Sequence, residues 1–288
     1  MNEAVAQLLA RYRPETLQDY RQALREILQD VALLGLWRSN FFDRAAFYGG
    51  TALRILHGLD RFSEDLDFSL LAPDPSFDLS RYTGSLEREV RAFGFDVTCE
   101  AKTAGESRAV RSAFLKADTV KELLTIEARP QVIAGIPKGQ LTKIKLEVDT
   151  DPPPGFETQV RFLLQPVPFS VRAYSLPDLF AGKMHALLYR KWGSRVKGRD
   201  WYDLIWFAGH YPELRLSHLE QRMRQNGEWT GPGPLAPDAL KRLLNDAIEA
   251  LDVERARHEV ESFVRDPAAL RVWSKEFFRD VAGRIVFL

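Results

Sequence analysis

The chain has 288 residues, enough for one large domain or two modest ones with a sizeable buried core. Its apolar fraction of 45% and charged fraction of 28% exclude a disordered or fibrous protein. No apolar run nears the roughly 20 residues needed to cross a bilayer, and the N-terminal segment is too charged for a secretory signal, so the expected location is the cytoplasm, with no membrane partner. The 40 basic and 40 acidic residues cancel, so any contact with nucleic acid must use a local patch rather than an overall field. One such patch runs through Arg190, Lys191, Arg195, Lys197 and Arg199, with no acid among them. The lone Cys99 excludes an internal disulfide and a CxxC metal cluster.

Taken in chain order, residues 14–38 carry apolar side chains at helical spacing and predict a long helix. A short hydrophobic strand follows at Ala45–Tyr48, then Gly49-Gly50-Thr51 and a helix through Leu56. Asp65–Leu71 alternates polar and apolar residues, as a half-buried strand does. A polar, proline-containing stretch at 72–80 separates it from a helix near 84–94. Strand-like pieces dominate the middle third: 95–98, 123–129, 141–149 and 169–174, with Pro152-Pro153-Pro154-Gly155 as a firm break. From Leu176 the pattern is helical, with candidates at 177–192, 199–209, 216–225, 236–251, 253–264 and 268–283. The expectation is an α+β protein: a mixed sheet with flanking helices over residues 1–175, then a helical bundle over 176–288.

The sharpest local signal is GGTALRILHGLDRFSEDLDFSL, Gly49 to Leu70. On a strand, residues two apart share a face, so Asp65 and Asp67 project together while Leu66 and Phe68 turn to the core. Two carboxylates so placed repel and desolvate poorly unless a cation sits between them, and Mg²⁺ suits a site of carboxylate, water and phosphate oxygens. Taken alone, a DxD of this kind is more often a solvated strand face. The upstream segment changes that balance. Glycines at a strand-to-helix turn let a phosphate approach bare backbone N–H groups at a helix N-terminus. Thr51 is placed to cap that helix and to offer its hydroxyl to a phosphate.

A two-metal site needs a third carboxylate. In LTKIKLEVDT, alternation buries Ile144, Leu146 and Val148 and turns Lys145, Glu147 and Asp149 the other way, making Glu147 the first choice and Asp149 the fallback. The bland alternative is an exposed charged strand. In the later segment KMHALLYRKWGSRVKGRDWYDL, Lys183 and Arg190 share one helix face, and Asp200 and Asp203 share a face of the next. They read either as a salt-bridge cluster or as a lysine that neutralises phosphate charge, oriented by an acid. The histidines show no metal-binding spacing; His185 is expected to pack or hydrogen-bond, and Trp201 and Trp206 to lie in the core. Trp192 is expected in the core or stacked on a base.

These motifs, in this order and at these separations, resemble the AbiEii/AbiGii family of bacterial toxins, within the polymerase-beta-like nucleotidyltransferase superfamily. The resemblance covers about residues 35–210. It implies that Gly49, Gly50 and Thr51 bind a triphosphate, that Asp65 and Asp67 hold metal, and that Ser63 lies near the site. It further implies roles for Lys145 and Glu147, for Lys183 as a catalytic or phosphate-binding lysine, and for Arg190, Asp200 and Asp203. Asp149 stands where the family commonly has asparagine.

The expected reaction is Mg²⁺-dependent (with Mn²⁺ as substitute) transfer of a nucleotide from a nucleoside triphosphate to RNA, foremost the 3′ end of tRNA, as in the related MenT toxins. Glu147 or Asp203 would position or deprotonate the acceptor, Lys183 and Arg190 would stabilise phosphate charge, and the basic stretch would hold the RNA. The family also implies a type IV toxin–antitoxin system of abortive infection and phage defence, with a winged-helix antitoxin encoded nearby. The alternatives are nucleotidylation of a protein hydroxyl and a non-catalytic nucleotide-binding toxin. A DxD glycosyltransferase is disfavoured, because its DxD does not normally follow a glycine turn and helix.

Overall fold

The computed structural model describes residues 3–103, 121–129, 142–190 and 197–288. Helix α1 (Glu3–Tyr12) leads to α2 (Leu17–Arg38), whose start is fixed by a capping box: the Thr16 side chain accepts from the Asp19 N–H, and the Asp19 carboxylate accepts from the Thr16 N–H. Helix α2 buries a broad apolar face, including Leu24, Ile27, Leu28, Val31 and Leu34. Next come β1 (Ala45–Tyr48), α3 (Gly49–His57), β2 (Leu66–Leu70), α4 (Ser80–Ala92), β3 (Asp96–Thr103), β4 (Lys121–Arg129), β5 (Thr142–Asp149), β6 (Thr158–Leu163) and β7 (Phe169–Tyr174).

These strands form one mixed seven-stranded sheet in the order β3-β4-β5-β2-β1-β7-β6. Strand β2 lies antiparallel to β1 and parallel to β5, and β1 lies parallel to β7. The expected α+β class with a mixed sheet is therefore what the chain adopts.

Alternation along the strands divides two cores between the sheet's faces. Phe47 of β1, Leu66 and Phe68 of β2, Ile144, Leu146 and Val148 of β5, and Val171 of β7 join α2 and α4 in one core. Ala46 and Tyr174 turn to the opposite face and join a second core built from the helices that follow. Those are α5 (Leu176–Tyr189), α6 (Gly198–His210), α7 (Leu216–Gln225), α8 (Pro237–Ala250), α9 (Val253–Glu261) and α10 (Lys275–Ala282). A small parallel pair, β8 (Glu213–Leu214) and β9 (Val286–Phe287), ties the C-terminal residues to the start of α7.

Several expectations shift. Strand β6 and helix α1 were not among the expected elements, although Val5, Leu8 and Leu9 of α1 carry the helical spacing and are buried. In β6 the side chains of Val160 and Phe162 are solvent-exposed, so its alternation does not divide core from water. The single helix expected at 268–283 is split: a 3₁₀ turn at Pro267–Val272 ends before Ser274, whose hydroxyl caps α10 through the Phe277 N–H. Leu141, Lys191, Trp192 and Arg195 lie outside the described residues.

Candidate active site

Asp67 is the second residue of β2, opposite Tyr48 of β1 and in parallel register with Glu147 of β5. That register puts the two carboxylates on neighbouring strands and on one face of the sheet, away from the α2 core. Burial raises the Asp67 pKa, and the Glu147 and Asp65 charges raise it further; Lys183 and Arg190 pull the other way, and the net value is about 6. Asp65 stands one residue before β2, and its carboxyl is also raised, chiefly by burial, against the pull of Lys145.

The turn into α3 explains the two glycines. Gly49 has φ of 81°, and a Cβ there would stand 2.4 Å from an Asp67 carboxylate oxygen. A Cβ on Gly50 would stand 2.9 Å from the Ser63 Oγ, 3.0 Å from an Arg61 nitrogen and 3.5 Å from the Lys183 Nζ. Side chains from three parts of the chain thus close on a backbone that has to be bare.

Thr51 departs from its expected role. The cap position of α3 is Tyr48, and Thr51 is fully buried, its hydroxyl donating to the Asp65 carbonyl and lying 2.9 Å from the Ser63 Oγ. Instead of capping α3, it pins the segment before β2. Gln29 does the same from α2, donating to the carbonyls of Ser63 and Glu64.

Above the sheet, α5 and α6 hold a buried ionic cluster. Asp203 receives both Nε and Nη2 of Arg61, at 2.6 and 2.7 Å, and the Lys183 ammonium at 2.8 Å. Burial acts to raise the Asp203 pKa, but Arg61 and Lys183 outweigh it and hold the carboxyl below its usual range. The expectation that Asp203 deprotonates an acceptor is therefore corrected: its oxygens are taken by two cations, its basicity is lowered, and it is fully buried. Its part is to hold Lys183 in place. Asp200 is also buried, and its carboxyl is raised by desolvation against the opposing pull of Lys183.

A pocket of about 320 Å³ opens between this sheet face and helices α5 and α7. Its wall includes Gly49, Asp67, Glu147, Asp149, Lys183 and Arg190, so six of the residues singled out from sequence share one cavity. Asp65, Ser63 and Lys145 flank it without lining it, and Asp200 and Asp203 stand behind Lys183. Lys145 pairs with Glu147, so it acts on the acid rather than facing the cavity. Among the described residues no three acid or histidine side chains converge as a preformed metal cage.

Sequence reasoning missed part of this wall. Tyr48, Tyr189, Arg222 and Glu228 line it; His185 lines it too and, as expected, hydrogen-bonds, with Glu228 at 2.6 Å. Arg61 was also missed, although it lies inside the first motif. Its signal was there to find, since an arginine in a segment otherwise heading for the core needs a buried acid. The basic patch is only partly available: Arg199 pairs with Glu259 and lies 4.1 Å above the Phe263 ring. Trp201 and Trp206 are core residues, as expected.

A family model described as nucleotidyl transferase AbiEii toxin, type IV TA system, matches residues 31–279. The chain belongs to this family of nucleotidyltransferase toxins. Such a system pairs a toxin with an antitoxin, and a nucleotidyltransferase draws on a nucleoside triphosphate. No curated protein matches the chain in sequence. Among solved structures it is similar to JHP933 from Helicobacter pylori, with 17% identity, a TM-score of 0.53, and coverage of 94% of this chain and 90% of that one. It is also similar to MenT4, a nucleotidyltransferase toxin from Mycobacterium tuberculosis H37Rv, with 17% identity, a TM-score of 0.53, and coverage of 99% and 89%. At these identities the likeness is one of fold. No helix among the described residues is long and apolar enough to cross a membrane.

Proposed function

We propose that the chain transfers a nucleotide from a nucleoside triphosphate to the 3′ end of a tRNA, with Mg²⁺ or Mn²⁺ held by Asp65 and Asp67 beside Glu147. The observation that carries this reading is the desolvated Asp67, in register with Glu147 on one side of a pocket that has Lys183 and Arg190 in its wall. Acids crowded together with raised pKa values favour a bound cation, and lysine and arginine beside them favour phosphate. The donors are all hard oxygens, and Mg²⁺ is commonly bound by one or two carboxylates together with water and substrate phosphate. When bound, the ion would neutralise phosphate charge and hold the α-phosphate for in-line attack.

The chain's own residues have distinct parts. Bare backbone at Gly49 and Gly50 lets the phosphates approach. Lys183, fixed by Asp203, and Arg190 stabilise charge that grows on the phosphates as pyrophosphate leaves. Glu147, with Asp149 two residues on along the same strand face, is the acid placed to orient the attacking hydroxyl. Residues 1–175 serve as the nucleotidyltransferase unit, and 176–288 as a helical unit that supplies Lys183, Arg190, Asp200 and Asp203.

A groove of about 910 Å³ adjoins the pocket, with Gln225 in both walls, and offers room for a polymer end. A tRNA acceptor would place the reaction in the cytoplasm. We further propose a winged-helix antitoxin as partner and phage defence as the setting, both from the family.

The test is transfer of label from each α-³²P nucleoside triphosphate, with Mg²⁺, to total tRNA, with the Asp65→Ala/Asp67→Ala double variant as control. Labelled tRNA that disappears in the variant supports the reading. Labelled protein in its place would move the acceptor to a protein hydroxyl. Triphosphate binding with no transfer to either would leave a nucleotide-binding toxin.

A further inference from the structure

Arg222 of α7 lines the pocket, and its setting differs from that of four other arginines near the second core. Arg61, Arg199, Arg215 and Arg224 each pair with a carboxylate. Arg222 instead donates its Nε–H to the Nε2 of His218 at 3.0 Å, and among the described residues it forms no ion pair with an acid. An acceptor nitrogen at Nε2 carries no proton, so the imidazole is neutral.

His218 is fully buried and meets the stacked pair of Phe156 and Tyr174 edge-on, 5.9 Å from the centre of each ring. Burial, reinforced by the Arg222 charge, depresses its pKa to about 3, so the ring stays neutral under ordinary conditions. The guanidinium lies 5.8 Å from the centre of the Tyr48 ring and 3.7 Å from where a Cβ on Gly182 would stand. It is thus held between β1 and α5 by groups that fix its direction without cancelling its charge. The fork nitrogens that His218 leaves untouched are available to bind an anion in two places at once.

We propose that Arg222, aimed by His218, is a phosphate-binding residue that grips the phosphate chain of the nucleoside triphosphate, a third cation alongside Lys183 and Arg190. This rests on the nucleotide-binding reading of the pocket. His218 is a positioning residue, since it acts through Arg222.

The test is equilibrium binding of ATP, AMP and inorganic tripolyphosphate, by calorimetry, to the full chain and its variants. Arg222→Gln is expected to weaken ATP and tripolyphosphate about 10- to 100-fold, the effect of removing a charge-assisted hydrogen bond, and to leave AMP nearly unchanged. Arg222→Lys keeps one charge without the fork and is expected to lose less; it carries the comparison should the glutamine variant prove poorly folded. His218→Phe keeps a ring but no acceptor and is expected to reproduce the arginine pattern in weaker form, with His218→Gln restoring part of it. Equal weakening of ATP and AMP, or no change in either, would overturn the assignment. Triphosphate binding that Asp67→Asn alters and Arg222→Gln does not would sink Arg222 alone. No binding of any triphosphate to the unaltered chain would sink the pocket reading with it.

Discussion

Arg61 and Asp203, 142 residues apart in sequence, meet as a two-pronged ion pair with both side chains almost wholly out of water. The second Asp203 oxygen also receives Lys183, so one carboxylate joins the loop before β2 to the helix that lines the pocket. Removing one partner of a buried pair costs about 3–5 kcal/mol, because the survivor keeps its desolvation penalty. Asp203→Asn should therefore lower stability by about that amount and slow transfer by freeing Lys183. Denaturant unfolding measures the first effect and single-turnover transfer the second. A variant with full stability and only lost activity would return Asp203 to a chemical role.

Asp67→Asn should separate chemistry from folding. The carboxylate is held high by burial and by Glu147 and Asp65, so its charge strains the metal-free protein. The amide removes that repulsion. Transfer should fall by a factor of at least about 100, as expected when a residue acting on developing charge is lost, while the metal-free melting temperature at neutral pH stays the same or rises. A marked drop in melting temperature would show Asp67 to be structural.

The same shift gives a dependence on pH. The Asp67 carboxyl titrates near 6 in the folded chain, against 3.8 ordinarily, so the folded state holds its proton more tightly. Its stabilising contribution is complete below the unfolded value and is lost as pH rises through about 6. A divalent cation would compete with that proton. The rise in melting temperature on adding Mg²⁺ should therefore be large at about pH 7.5 and small at about pH 5. Equal gains at both values would place the ion elsewhere.

Gly49→Ala probes the close approach at the strand-to-helix turn. Its backbone φ of 81° is strained for alanine, and the new methyl would overlap the Asp67 carboxylate. A loss of roughly 1–3 kcal/mol in stability is expected, together with reduced transfer. Gly58→Ala, also at positive φ but facing open space, should lose stability without the same loss of activity. Equal effects on activity would detach Gly49 from the site.

How much of this could be read in advance depends on the range of the forces involved. Periodicity located α2, α3, β2, β5 and β7 because each puts an apolar face on a core, as Leu66 and Phe68 do on one side of Asp67. The same alternation in β5 put Glu147 and Asp149 on the face opposite Ile144, Leu146 and Val148. Strand β6 was missed because its outward apolar residues meet water, and the 268–283 helix was read as continuous because the Ser274 cap is a local hydrogen bond that periodicity does not register.

The sequence by itself determined which groups carry charge and which strand face each one takes, since side-chain alternation is a property of the local backbone. Only the tertiary structure decided which of those groups meet. The parallel pairing of β2 with β5 put Asp67 beside Glu147, and the packing of α6 drew Asp203 to Arg61 and Lys183. The fold also gave Arg222 a neutral histidine in place of an acid. Those choices depend on long-range contacts that no local pattern encodes, because the desolvation that sets each charge's value exists only once the chain has closed around it.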